Sequence, residues 1–108
     1  MAETFKHYQT ALTTSNTTIY TCPSATTAII FMAQAANKDI TQSSSITCVV
    51  SDASAGTTRY IARDIVMPSR TSVNILGGKL VLEATDSLSA NSASNSTIDL
   101  ILSVLEIS

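Results

Sequence analysis

Residues 97–107 read Thr-Ile-Asp-Leu-Ile-Leu-Ser-Val-Leu-Glu-Ile, and this stretch decides the fold class. Ile98, Leu100, Leu102 and Val104 share one parity, with Glu106 next in the same series, while Asp99, Ile101, Ser103, Leu105 and Ile107 fall on the other. Side chains that alternate with a period of two belong to pleated chain, whose successive residues point to opposite faces; a helix would repeat at three and four. The segment therefore predicts a long strand with one mainly apolar face.

The same rhythm recurs upstream in short runs bounded by Ser, Asn, Asp, Gly or Pro. Strands are expected at about 5–12, with Phe5 and Leu12 as anchors, and at 17–22, where Ile19 and Tyr20 face opposite ways before Pro23 closes the run. Residues 26–37 hold Ile29-Ile30-Phe31 and then an Ala- and Gln-rich half. That half lets a helix compete, but the β-prone start and the continuous apolar character favour a strand covered on both faces. Further strands are expected at 45–52 (Ile46, Cys48 and Val50 on one face), 57–65 (Tyr60 and Ile61 as apolar members), 72–76, 79–83 and 87–91. Gly77-Gly78 reads as a hairpin turn and Thr85-Asp86 as a tight turn. Eight or so short antiparallel strands with turns about every ten residues predict an all-β, single-domain two-sheet sandwich spanning 1–108, of jelly-roll or immunoglobulin-like type.

Composition agrees. Charged residues make up 13% of the 108, about half the usual share, and the exterior they leave must be covered by Ser and Thr, which occur in runs such as Thr13-Thr14 and Ser43-Ser44-Ser45. A net charge of −2 with six scattered Lys and Arg excludes the basic patch that nucleic-acid binding demands. A sparsely charged surface is cheap to desolvate, which suits a protein packed among neighbours. The start Met-Ala-Glu-Thr-Phe-Lys-His has no basic-then-apolar leader, and no apolar run is long enough to cross a bilayer, so synthesis in a cytoplasm and no membrane partner are expected.

Cys22 and Cys48 are read as small buried hydrophobes, and a single bridge between adjacent strands stays open. His7 has no triad partner visible in the sequence. Asp39, Asp52, Asp64, Asp86, Asp99, Glu3, Glu83 and Glu106 are spread singly, as turn formers and solvated strand residues. Gly77-Gly78-Lys79 lacks the long glycine-rich loop and following helix of a phosphate site. Tyr8, Tyr20 and Tyr60 suit core or interface packing better than a sugar site, since aromatic content is 5% without Trp. The reading offers no catalytic, cofactor-binding or metal residues, and the expectation is a protein that is not an enzyme.

Four segments carry a resemblance: Thr-Thr-Ile-Tyr-Thr-Cys-Pro at 17–23, Thr-Thr-Ala-Ile-Ile at 26–30 leading to Ala36-Asn37, Gly-Lys-Leu-Val-Leu-Glu at 78–83 with Asp86, and Ser-Val-Leu-Glu-Ile at 103–107. In these the chain resembles small virion structural proteins of tailed phages, especially those of marine cyanobacteria and similar hosts. It departs where such proteins often carry Gly after the Pro, having Ser24-Ala25 instead. The resemblance implies a virion location and a capsid decoration or cement-type subunit. Its expected partners are copies of itself, with a trimer favoured, and other virion proteins such as the major capsid protein. A neck, tail or fibre-associated subunit is the alternative within the particle. A receptor- or glycan-binding module is a further one, disfavoured because the loops at 38–45, 53–56 and 92–96 hold no aromatic residue.

Overall fold

The chain pairs with itself in nested antiparallel fashion, first strand with last and inward from there. The computed structural model describes residues 3–76 and 78–108. It contains β1 (Glu3–Ala11), β2 (Thr17–Thr21), β3 (Thr27–Asn37), β4 (Ser44–Asp52), β5 (Thr57–Met67), β6 (Ser72–Asn74), β7 (Leu80–Leu82), β8 (Ser87–Ser92) and β9 (Ile98–Ile107). β1 pairs β9, β2 pairs β8, β3 pairs β6 and β7, and β4 pairs β5. Two further pairings, β3 with β9 and β4 with β8, close the ribbon into two sheets of order β1-β9-β3-β6, with β7 also on β3, and β2-β8-β4-β5. That order is a jelly roll, and it decides between the two sandwich types the sequence allows.

β9 lies between β1 and β3, so its alternation is put to full use: Ile98, Leu100, Leu102 and Val104 all turn inward and are buried. Facing them from the second sheet are Ile46, Cys48, Leu88 and Ala90, with Leu12, Tyr20 and Met67 completing the cluster. The Ala-rich half of β3 is a strand, and Ala33, Ala35 and Asn37 are its buried members. Small side chains there make room for the large ones opposite, which is how an interior reaches close packing. The outer face of β3 is only half-covered, so the expectation of burial on both faces fails. One residue, Phe31, is added to β3 between Ile30, opposite Val104, and Met32, opposite Ser103. This bulge explains the unbroken apolar run that hides the period of two.

Two other expectations are corrected, and the reading of the cysteines as buried hydrophobes holds. Phe5 is not a core anchor: its side chain is 75% exposed on the outer face of β1, whereas Leu12 is buried as expected. No hairpin forms between β6 and β7, because they pair successively with 36–34 and 30–28 of β3 and so run in the same direction; Gly77 itself lies outside the described residues. Cys22 and Cys48 are free and buried. They sit near β2 and on β4, which are separated by β8, and are offset along the strands by about 13 Å at ~3.3 Å per residue. Burial pushes the Cys48 thiol up to about 12 and raises that of Cys22 as well.

The Ser24-Ala25 departure has a structural counterpart. Ala25 adopts φ 58°, a left-handed conformation that costs an L-residue ~1–2 kcal/mol and a glycine nothing. Ala25→Gly should therefore raise unfolding free energy by roughly 0.5 kcal/mol, after subtracting the ~0.4–1 kcal/mol that glycine's freedom adds to the unfolded chain. Leu102→Ala, at a site with no exposure in a central strand, should cost about 2–5 kcal/mol. Urea denaturation curves of both variants check these values, and a loss below about 0.5 kcal/mol for Leu102→Ala would contradict the central place of β9.

Candidate assembly surface

Register carries β9's parity across the whole first sheet. On the outer face, Phe5 of β1, Leu105 of β9, Ile29 of β3 and Val81 of β7 stand directly opposite one another and form one apolar row across four strands. Phe31, displaced by the bulge, stacks on Phe5 with ring centroids 6.2 Å apart, and the Lys79 ammonium lies 5.8 Å from the Phe31 ring centre. Phe5 and Val81, at the two ends of the row, are 75% and 58% exposed. Farther along the same face Gln9, Ile101, Gln34 and Asn74 make a mixed row.

Beneath the row lies a buried polar knot. Glu106 continues the inward series of β9, and the Tyr20 hydroxyl from the opposite sheet donates to its Oε2 at 2.5 Å. Lys6 of β1 reaches its Oε1 at 3.0 Å. Tyr8 packs on Tyr20 with ring centroids 5.0 Å apart. The Tyr20 bond, and then Lys6, hold the Glu106 carboxyl below its ordinary 4.5 in spite of burial. Burial and the carboxylate together push the Tyr20 phenol well above its ordinary range. The bond to Glu106 raises Lys6. At the far end of the sandwich Asn37 of β3 makes a second clamp between the sheets, donating through Nδ2 to the Met67 carbonyl at 2.9 Å. Among the described residues every buried side-chain polar atom has a hydrogen-bond partner.

The remaining residues weighed from sequence are dispersed. His7 is exposed on β1, beside Phe5, Phe31 and Ser103. Asp39 accepts from the amides of Thr41 and Gln42, and Asp52 from the Ser54 hydroxyl and then the amides of Ala55 and Ser54, so both are turn formers, and these bonds lower their carboxyls. Asp86 is buried rather than solvated, accepting from Ala53 and Glu83 amides at 3.0 Å each. Tyr60 is exposed on β5, with the Arg63 guanidinium 5.0 Å from its ring centre. Among the described residues no group of three or more His, Cys, Asp or Glu is gathered as a metal site. The sequence reading missed the Tyr20–Glu106 pair. The signal for it was a single acid at a position of β9 where alternation demands burial.

No protein-family model and no curated protein matches the sequence. Among solved structures, the chain is similar in fold to one from Bacillus endospore appendages, which form a novel family of disulfide-linked pili. The TM-score is 0.52 at 14% sequence identity, over 96% of this chain and 85% of that one, a likeness that establishes the fold alone.

A hydrogen bond to a buried charge contributes about 1.5–3 kcal/mol, so Tyr20→Phe should destabilise by that order at neutral pH. Because the folded state holds Glu106 below 4.5, its contribution is complete above that value and is lost as pH falls through the lower, folded one. The difference between wild type and Tyr20→Phe should thus shrink in acid. Denaturation curves at a series of pH values check this, and a difference that stays constant would separate the two residues energetically.

Proposed function

We propose that this protein is a non-catalytic structural subunit of a virion, a decoration or cement-type protein that acts by packing against copies of itself and other particle proteins. The observation that carries the reading is the apolar row Phe5–Leu105–Ile29–Val81, exposed at both ends on one face of the sandwich. Large apolar side chains gathered on one face of a sheet mark a surface that other protein covers. The outer face of sheet one is also poor in charge, with Glu3, Asp99 and Lys79 toward its margins, so covering it desolvates few ions.

Jelly rolls serve in capsids, lectins and cupins alike, so the architecture by itself does not choose among them. The sequence resemblance to virion proteins of tailed phages favours the particle. The pilus likeness is compatible with a self-associating subunit, but with a difference: both cysteines here are buried with raised thiols, so contacts between copies would be non-covalent. Repetition strengthens such contacts, since many modest attachments on one particle act together.

Light scattering on the purified chain, taken to high micromolar concentration, is the test. The expected mass is that of two or more chains, and Val81→Asp should lower it without changing the melting temperature, because Val81 lies mostly in solvent. A chain that stays monomeric throughout would overturn the assembly reading.

A further inference from the structure

Resting on that assembly reading, we infer that two copies join through β1, strand to strand and antiparallel about a two-fold axis centred on Phe5. A sandwich has open strand edges, and each must be either protected or paired. Three of the four edges here are interrupted. β5 carries two extra residues against β4, one within Arg63-Asp64, where Asp64 has φ 50° and exchanges hydrogen bonds with Thr47, and one at Ile61. The β6/β7 edge is two three-residue pieces. β2 is five residues long with Ile19 bulged. Bulges and short strands are the means by which proteins block edge pairing.

β1 has none of these devices. Its nine residues hold continuous register with β9, contain no proline or bulge, and are exposed apart from the half-buried Tyr8 and Thr10. A regular edge needs a regular edge as its partner, and the matching one is β1 of a second copy. Two-fold pairing in a continuous sheet sets each residue opposite one of the same parity, so the centre falls on a residue. Centred on Lys6, the pair would place like charges directly opposite each other, which is destabilising. Centred on His7, it would set the exposed Phe5 against Gln9.

Centred on Phe5, it sets Phe5 against Phe5, Glu3 against His7 and Thr4 against Lys6. The acid meets an imidazole, and the apolar row Val81–Ile29–Leu105–Phe5 continues into the same row of the second copy. A ladder of five residue pairs buries less than the roughly 1,200–2,000 Å² of a stable dimer, so this contact works at the high local concentration of an assembly. It predicts two-fold pairing, unlike the trimer favoured from the sequence.

Glu3→Cys and His7→Cys variants, oxidised separately and mixed, test the inference; the native thiols are buried. The mixture should give a disulfide-linked heterodimer several-fold above the linked homodimer from either variant alone, and adding Phe5→Lys to both should remove it. Dominant linking of His7→Cys to itself, equal linking in all three samples, or no linking would each overturn pairing about Phe5. Light scattering of the wild-type chain separates the two failures: growth in mass without the mixed cross-link sinks only the β1 contact, while a persistent monomer sinks the assembly reading.

Discussion

The structure depends on β9 being held between two partners. With β1 on one side and β3 on the other, its backbone is hydrogen-bonded along both flanks, and its alternation then admits one arrangement. Slipping β9 by one residue against its neighbours would turn Ile98, Leu100, Leu102 and Val104 to solvent together. That same rigidity carries Glu106 to an inward position. A carboxylate there costs several kcal/mol unless it is paired, and the chain supplies Tyr20 from the opposite sheet and Lys6 from the neighbouring strand. The knot is therefore a consequence of the register, and it ties β2 of the second sheet to β1 and β9, which the backbone ladder already joins.

Position within the sheet also explains why β1 differs from the other strands. Its inward-facing residues are Thr4, Lys6, Tyr8 and Thr10, while in the same rows β9 presents Glu106 and then Val104, Leu102 and Leu100, and β3 presents only Ala and Ile. β1 contributes polar contacts to the rim and little to the core. Its outward face then carries Phe5, the most exposed large apolar side chain of the described residues.

Much of this was legible in the sequence. Nine strands fall close to where alternation and turn residues place them, because β3, β4, β8 and β9 each bury one face and keep the period of two, and turn residues bound the rest. The failures have physical causes. Hydrophobicity alone predicts an inward Phe5, and an edge strand is where that guide loses its hold. The bulges at Phe31 and Ile19 shift parity by one without any glycine to announce them. Gly77-Gly78 suggested reversal, yet β6 and β7 behave as one interrupted strand along β3. The candidate surface was least visible of all, since Phe5, Leu105, Ile29 and Val81 come from four distant segments and meet only through register.

The edge strands differ in how they meet solvent. A sparsely charged protein cannot guard its edges with lysine and glutamate, and this chain guards them with geometry: two extra residues in β5, a broken strand at β6/β7, a bulge in β2. Each device costs ladder hydrogen bonds, and a chain built only to stay monomeric would gain by treating its remaining edge in the same way. β1 is left straight and continuous beside an exposed phenylalanine, with its inward lysine already engaged by Glu106 and so withdrawn from edge defence. Protection on three sides and regularity on the fourth amount to a directional surface, since they limit where another strand can add and leave one place where it can.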